Sequence, residues 1–145
     1  MRGIELMARD VERARRALGS ASEVSQADIR SASFGAADAV VILDVLHYLD
    51  PQEQLEVLRR VRVALPARGL LLMRVGDAGA GLRFRYGQCS DKLVMLLRGH
   101  SIVTQHCRSV AQWRIVLKEC GFDSEVKPIS QGTPFANVLL IANAT

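Results

Sequence analysis

The sequence predicts an α/β fold built on a mostly parallel sheet and closed by an antiparallel hairpin. Strand-like runs alternate with helix-periodic segments along most of the chain, the pattern of a parallel sheet with helices on its faces. Two of those runs, Ala39 to Leu43 and Leu70 to Met73, are continuously apolar, as in strands covered on both sides. The last two runs flank the turn sequence Ser130-Gln131-Gly132-Thr133-Pro134 with no helix between them, which makes the sheet mixed.

Gly3 to Leu6 reads as a short strand. Met7, Val11, Ala14 and Leu18 then fall four, three and four residues apart, one face of a helix, with Arg9, Arg13 and Arg16 opposite and Gly19 as a natural stop. Glu23 to Ile29 is a second strand, residues 31–38 a loop, and Asp38 to Asp44 a third strand expected to be buried on both faces. Asp50 can cap the following helix, Pro51 suits its first position, and Glu53 completes a capping box. Leu55, Leu58, Val61 and Leu65 form its expected apolar face, and Pro66 to Gly69 end it. Leu70 to Val75 is another buried strand, followed by the glycine-rich loop 76–81 and a helix over about 84–98. Ser109 and Gln112 open a second capping-box helix through Trp113, Val116 and Leu117, with Trp113 expected in the core. Strands at 123–129 and 135–142 complete the chain. With no internal repeat, low-complexity tract or linker, residues 1–145 are expected to form one domain.

Composition narrows the function classes. The chain is 49% hydrophobic and 23% charged, which excludes a disordered or collagen-like chain. Apolar runs of about five residues are far short of a membrane span of about 20. The net charge of +4 rests on 16 Arg and 3 Lys, and residues 61–100 are locally basic. Aromatics are only 5% and no nucleic-acid signature is present, so a nucleic-acid partner is not expected; an anionic small substrate or a solvated face accounts for the arginines as well. Cys89, Cys107 and Cys120 are odd in number and form no CxxC pair, and the N-terminus has no apolar signal core, both pointing to a reducing cytoplasm. His100, His106 and Cys107 match no common ligand spacing and lack a fourth ligand, so no metal site is expected. The loop Gly76 to Gly81 reads GxxGxG rather than GxGxxG, which argues against a nicotinamide site; residues 76–106 read instead as a flexible substrate lid.

Four stretches, taken together and in order, resemble the class I S-adenosylmethionine-dependent methyltransferases. Gly3-Ile4-Glu5-Leu6 is similar to the family's second strand, which ends in an acidic residue. Gln26-Ala27-Asp28-Ile29 is similar to the end of its third. Ala37-Asp38-Ala39-Val40-Val41-Ile42-Leu43-Asp44-Val45-Leu46-His47-Tyr48 is similar to its fourth strand and the turn beneath the cofactor. Leu65-Pro66-Ala67-Arg68-Gly69 with the leucines after it is similar to the lead-in to its fifth, and Gly121-Phe122 with the final hairpin fits its last helix and seventh strand. The resemblance covers residues 3–142.

What the resemblance implies is a Rossmann-like sheet, S-adenosylmethionine as cofactor, and methyl transfer to a small molecule or acyl intermediate. Glu5 would meet the ribose hydroxyls, Asp28 and Ile29 the adenine, and Asp44 the cofactor beside the fourth strand. Positioning supplies most of the rate in transfer from a sulfonium, and His47 would act as general base where the acceptor needs one. The family's first strand and glycine-rich loop have no counterpart here. The first βα unit is therefore expected to be missing, through a misassigned start, a truncation or a true loss. The 145-residue chain is accordingly expected to bind the cofactor weakly or not at all, and a non-catalytic interaction module of the same fold is the alternative. Without that unit the strand Asp38 to Asp44 has an open apolar edge, so a homodimer or an exchanged N-terminus is expected rather than a sheet closed by pairing Gly3 to Leu6 with it.

Overall fold

Two short strands and a helix make up the first 34 residues. β1 (Arg2–Glu5) and β2 (Glu23–Gln26) run parallel, with α1 (Ala8–Leu18) between them. The computed structural model describes residues 1–19, 22–84, 104–133 and 135–145, and they form two compact units, Met1–Phe34 and Gly35–Thr145. In the first, Val11 of α1 and Val24 of β2 are buried, and the Arg15 guanidinium donates to the Val24 carbonyl at 2.8 Å, fastening helix to strand. The predicted helix face is buried only at its middle, since Met7 and Leu18 are exposed. The second strand stops at Gln26, short of the predicted Ile29, because Asp28 starts a turn: its carbonyl accepts from the N–H groups of Ser31 and Ala32.

The second unit carries a four-stranded sheet in the order β3 (Ala39–Leu43), β4 (Leu70–Gly76), β6 (Asn137–Ala144), β5 (Phe122–Pro128). β3 and β4 are parallel; β4–β6 and β6–β5 are antiparallel. Register places Val40, Ile42, Leu71, Met73, Leu140 and Ala142 on one face. That face supplies most of the sheet's core, with Leu71, Met73, Leu140 and Ala142 fully buried. Val57, Leu58 and Val61 of α2 (Pro51–Ala64) and Trp113 and Leu117 of α3 (Val110–Glu119) complete it. Each fully buried Leu or Met contributes about 1.5–3 kcal/mol. The face of β3 carrying Val41 and Leu43 is uncovered, at 57% and 49% exposure. The expectation of a strand buried on both sides is thus corrected: its apolar run is continuous, but only Val40 and Ile42 face the core.

Both predicted capping boxes are formed. The Asp50 carboxylate accepts from the N–H groups of Gln52 and Glu53, each at 2.8 Å, and the Glu53 carboxylate accepts from the Asp50 N–H at 2.9 Å. Ser109 and Gln112 repeat the arrangement at α3. The α2 face differs by a step from the prediction: Gln54 and Val57 are buried with Leu58 and Val61, whereas Leu55 is half-buried. At the turn into β4, the Gly69 N–H donates to the Pro66 carbonyl at 2.9 Å. A Cβ on Gly69 would lie 2.9 Å from Leu65 and Pro66 atoms, so a side chain there is sterically barred.

β1 pairs with β2. Among the described residues no strand hydrogen-bonds the outer edge of β3. The predicted helix over 84–98 lies almost wholly outside the described residues, as do Cys89 and His100.

Candidate functional site

In the first unit, the parallel pairing sets Glu5 opposite Gln26 at the carboxyl end of both strands. The Ala27 N–H donates to the Glu5 carbonyl at 3.0 Å, so the chain leaves β2 beside Glu5 and reaches Asp28 two residues past the strand. Carboxyl ends of parallel strands are where α/β sheets bind ligands. Glu5, Asp28 and Ile29 therefore share the expected edge, with Ile29 half-buried in the turn. Asp28 is already engaged. Its carboxylate accepts from the Arg30 N–H at 2.8 Å and from the Arg30 guanidinium at 2.6 to 3.1 Å. The Arg30 side-chain hydrogen bonds, reinforced by the backbone one, hold the Asp28 carboxyl below its ordinary pKa.

In the second unit, the Asp44 N–H donates to the Arg74 carbonyl at 3.2 Å, carrying the β3–β4 ladder one residue beyond the strand. There the backbone turns into the left-handed region, φ 55°, which Asp tolerates better than most residues. The Asp44 carboxylate pairs with the Arg74 guanidinium from β4. That hydrogen bond pushes the Arg74 pKa up, so Arg74 stays charged. The candidate acidic residue at the end of β3 thus also has an internal cation.

His47 lies three residues on, in the short 3-10 turn Leu46–Tyr48, half-buried, its ring 4.1 Å from that of Tyr48. Its carbonyl accepts from the His106 N–H at 2.8 Å, which brings the segment 104–109 against the turn. Gln54, fully buried, ties both down. Its side-chain N–H groups are shared among the carbonyls of Leu46, Leu49 and His106 at 3.0, 3.1 and 2.8 Å, and its Oε1 accepts from the Arg108 guanidinium at 2.7 Å. Arg108 also lies over the Trp113 ring at 5.6 Å. Gln54, Pro51, His106, Cys107, Arg108 and Gln112 line a small open pocket of about 220 Å³.

Gln54 and Arg74 were not foreseen, and each left a trace in the sequence. Gln54 stands four residues before Leu58 and seven before Val61, a polar residue on an apolar stripe. Arg74 is the lone charge in Leu70 to Gly76. The lid expected over 76–106 is anchored where it is described. Asp77 accepts from the N–H groups of Gly79 and Val110 at 2.9 and 3.0 Å, and the Ala78 N–H donates to the Arg108 carbonyl. Among the described residues, no three His, Cys, Asp or Glu side chains come together as a metal site.

No family model matches the sequence, and no curated protein matches it. Solved structures do match by shape. An O-methyltransferase family protein from Burkholderia thailandensis aligns over 99% of this chain and 43% of its own, at 22% identity and TM-score 0.72. A SAM-dependent methyltransferase from Methanosarcina mazei aligns over 99% of this chain and 81% of its own, at 16% identity and TM-score 0.73. The mitomycin 7-O-methyltransferase MmcR aligns over 99% of this chain and 41% of its own, at 20% identity and TM-score 0.77. The fold is that of the class I methyltransferases. The chain spans about two fifths of the length of the first and third of these.

Proposed function

We propose that the chain belongs to an S-adenosylmethionine-dependent methyltransferase acting on a small-molecule or acyl substrate in the reducing cytoplasm, with no part for nucleic acid or membrane. The observation that carries this reading is the set of candidate residues at strand carboxyl ends within a methyltransferase fold. Glu5 takes the ribose hydroxyls, Asp28 and Ile29 the adenine, and Asp44 the neighbourhood of the amino-acid end. His47 serves as general base where the acceptor is a hydroxyl or protonated amine. The protein's part in the transfer is to orient acceptor and sulfonium in line and to exclude water.

Binding by this chain is weak in our reading, because two of the three acidic groups must give up an internal guanidinium to meet the cofactor. The test is Glu5, whose carboxylate meets no guanidinium among the described residues. In a chain extended by the missing βα unit, Glu5→Ala is expected to weaken S-adenosylhomocysteine binding by about 1–3 kcal/mol, the range for losing charged hydrogen bonds. An unchanged dissociation constant would assign Glu5 to the surface. A second reading, a non-catalytic module of the same fold that pairs with another copy, draws on the open edge of β3. In either reading we propose a homodimer joined at that edge.

A further inference from the structure

Arg74 is poorly served where it stands. It shares its face of β4 with Leu72 and Gly76, and its cross-strand neighbours are Leu43 and Leu139. A guanidinium meets a carboxylate best side by side, through two parallel N–H···O bonds. Arg74 meets Asp44 through Nη2 and Oδ2, while its Nε, itself buried, has no acceptor among the described residues. Buried polar atoms without a partner are uncommon and mark places where a group is missing. The pair is also accessible, its two side chains 42% and 39% exposed. It lies at the carboxyl ends of two parallel strands, and Asp44 itself is held at φ 55°.

We propose that Arg74 is the receptor for a ligand carboxylate, with Asp44 as the internal counter-ion that the ligand displaces. An incoming carboxylate takes Nε–H and one Nη–H together, supplying the acceptor that Asp44 does not, and the Asp44 carboxylate is released from the guanidinium. Because Asp44 stays nearby and negative, it also weakens the ligand's hold, so its removal tightens binding rather than loosening it. Asp44 then acts at this site through Arg74. The identity of the ligand rests on the methyl-transfer reading, which offers two sources of the carboxylate: the amino-acid end of the cofactor or a carboxylate on the methyl acceptor. The Arg74 chemistry is testable without that reading.

The experiment follows the Arg74 Nε–H resonance by proton–nitrogen NMR, assigned with Arg74→Lys, during titration with sodium acetate and, at matched ionic strength, sodium chloride. Acetate is expected to move the resonance saturably and chloride to leave it. Asp44→Asn, which keeps a residue tolerant of left-handed backbone, is expected to tighten acetate binding at least about five-fold by removing a like charge; Asp44→Gly carries the same expectation should the Asn variant not fold. An unmoved resonance, an equal response to chloride, or no tightening in either variant overturns the proposal. Two nucleoside probes separate the sources. A response to S-adenosylhomocysteine but not to 5′-methylthioadenosine, which lacks the amino-acid end, assigns the carboxylate to the cofactor. S-adenosylhomocysteine that shifts other resonances and leaves Arg74 still assigns it to the acceptor. A normal acetate response with no shift anywhere from S-adenosylhomocysteine defeats the methyl-transfer reading and leaves the Arg74 receptor standing.

Discussion

Gln54 shows how one side chain can hold several segments in place. It is fully buried and bonds three carbonyls and a guanidinium. Gln54→Leu removes both donors and the acceptor at similar volume and leaves those partners stranded. At about 1–3 kcal/mol per stranded buried group, urea unfolding should show a loss of about 3 kcal/mol; a loss no larger than that of exposed Gln52→Ala would show that water replaces the network. Asp50 gives a signed pH effect. The Glu53 N–H, followed by that of Gln52, lowers its folded pKa. Its stabilisation is therefore present above the unfolded carboxylate pKa of about 4 and is lost as pH falls through the lower folded value. Asp50→Asn should cost stability at pH 7 and progressively less as the wild-type carboxylate protonates in acid; a penalty independent of pH would remove charge from the explanation. Neither Gln54 nor Arg74 was legible as a site residue, because a polar residue on an apolar stripe announces burial but not its partners.

Elements were more legible than their surroundings. The capping boxes at Asp50 and Ser109 could be read because their partners are three residues apart, and both are present. Ser109→Ala should cost about 1 kcal/mol by denaturant unfolding, as loss of an N-cap does; an unchanged midpoint would show that Asp77, which accepts from the Val110 N–H, holds the helix start alone. β4 and the final hairpin were recovered to within about two residues, since Leu70 to Met73 and Val138 to Ala142 are continuous apolar runs next to turn residues. β3 was placed but misjudged: five apolar residues in a row do not say whether both faces are covered, and Val41 and Leu43 are not. The strand at Glu23 was overextended because Asp28 turns the chain through local hydrogen bonds that compete with a ladder.

At the scale of the molecule, the fold resemblance visible in four short stretches matches the shape of solved methyltransferases at 16% to 22% identity. The open edge of β3 carries no Pro or Lys within Ala39–Leu43 to blunt it. Light scattering should therefore find a dimer, and Val41→Lys a monomer; a wild-type monomer would contradict the edge-joined arrangement. The central proposal is that the chain binds the cofactor weakly, because Asp28 already meets Arg30 in the first unit and Asp44 already meets Arg74 in the second. Calorimetric titration of the 145-residue chain with S-adenosylhomocysteine tests it most directly. The account predicts binding weaker than about 100 μM, a free energy of no more than about 5.5 kcal/mol in magnitude. Low-micromolar affinity would contradict it.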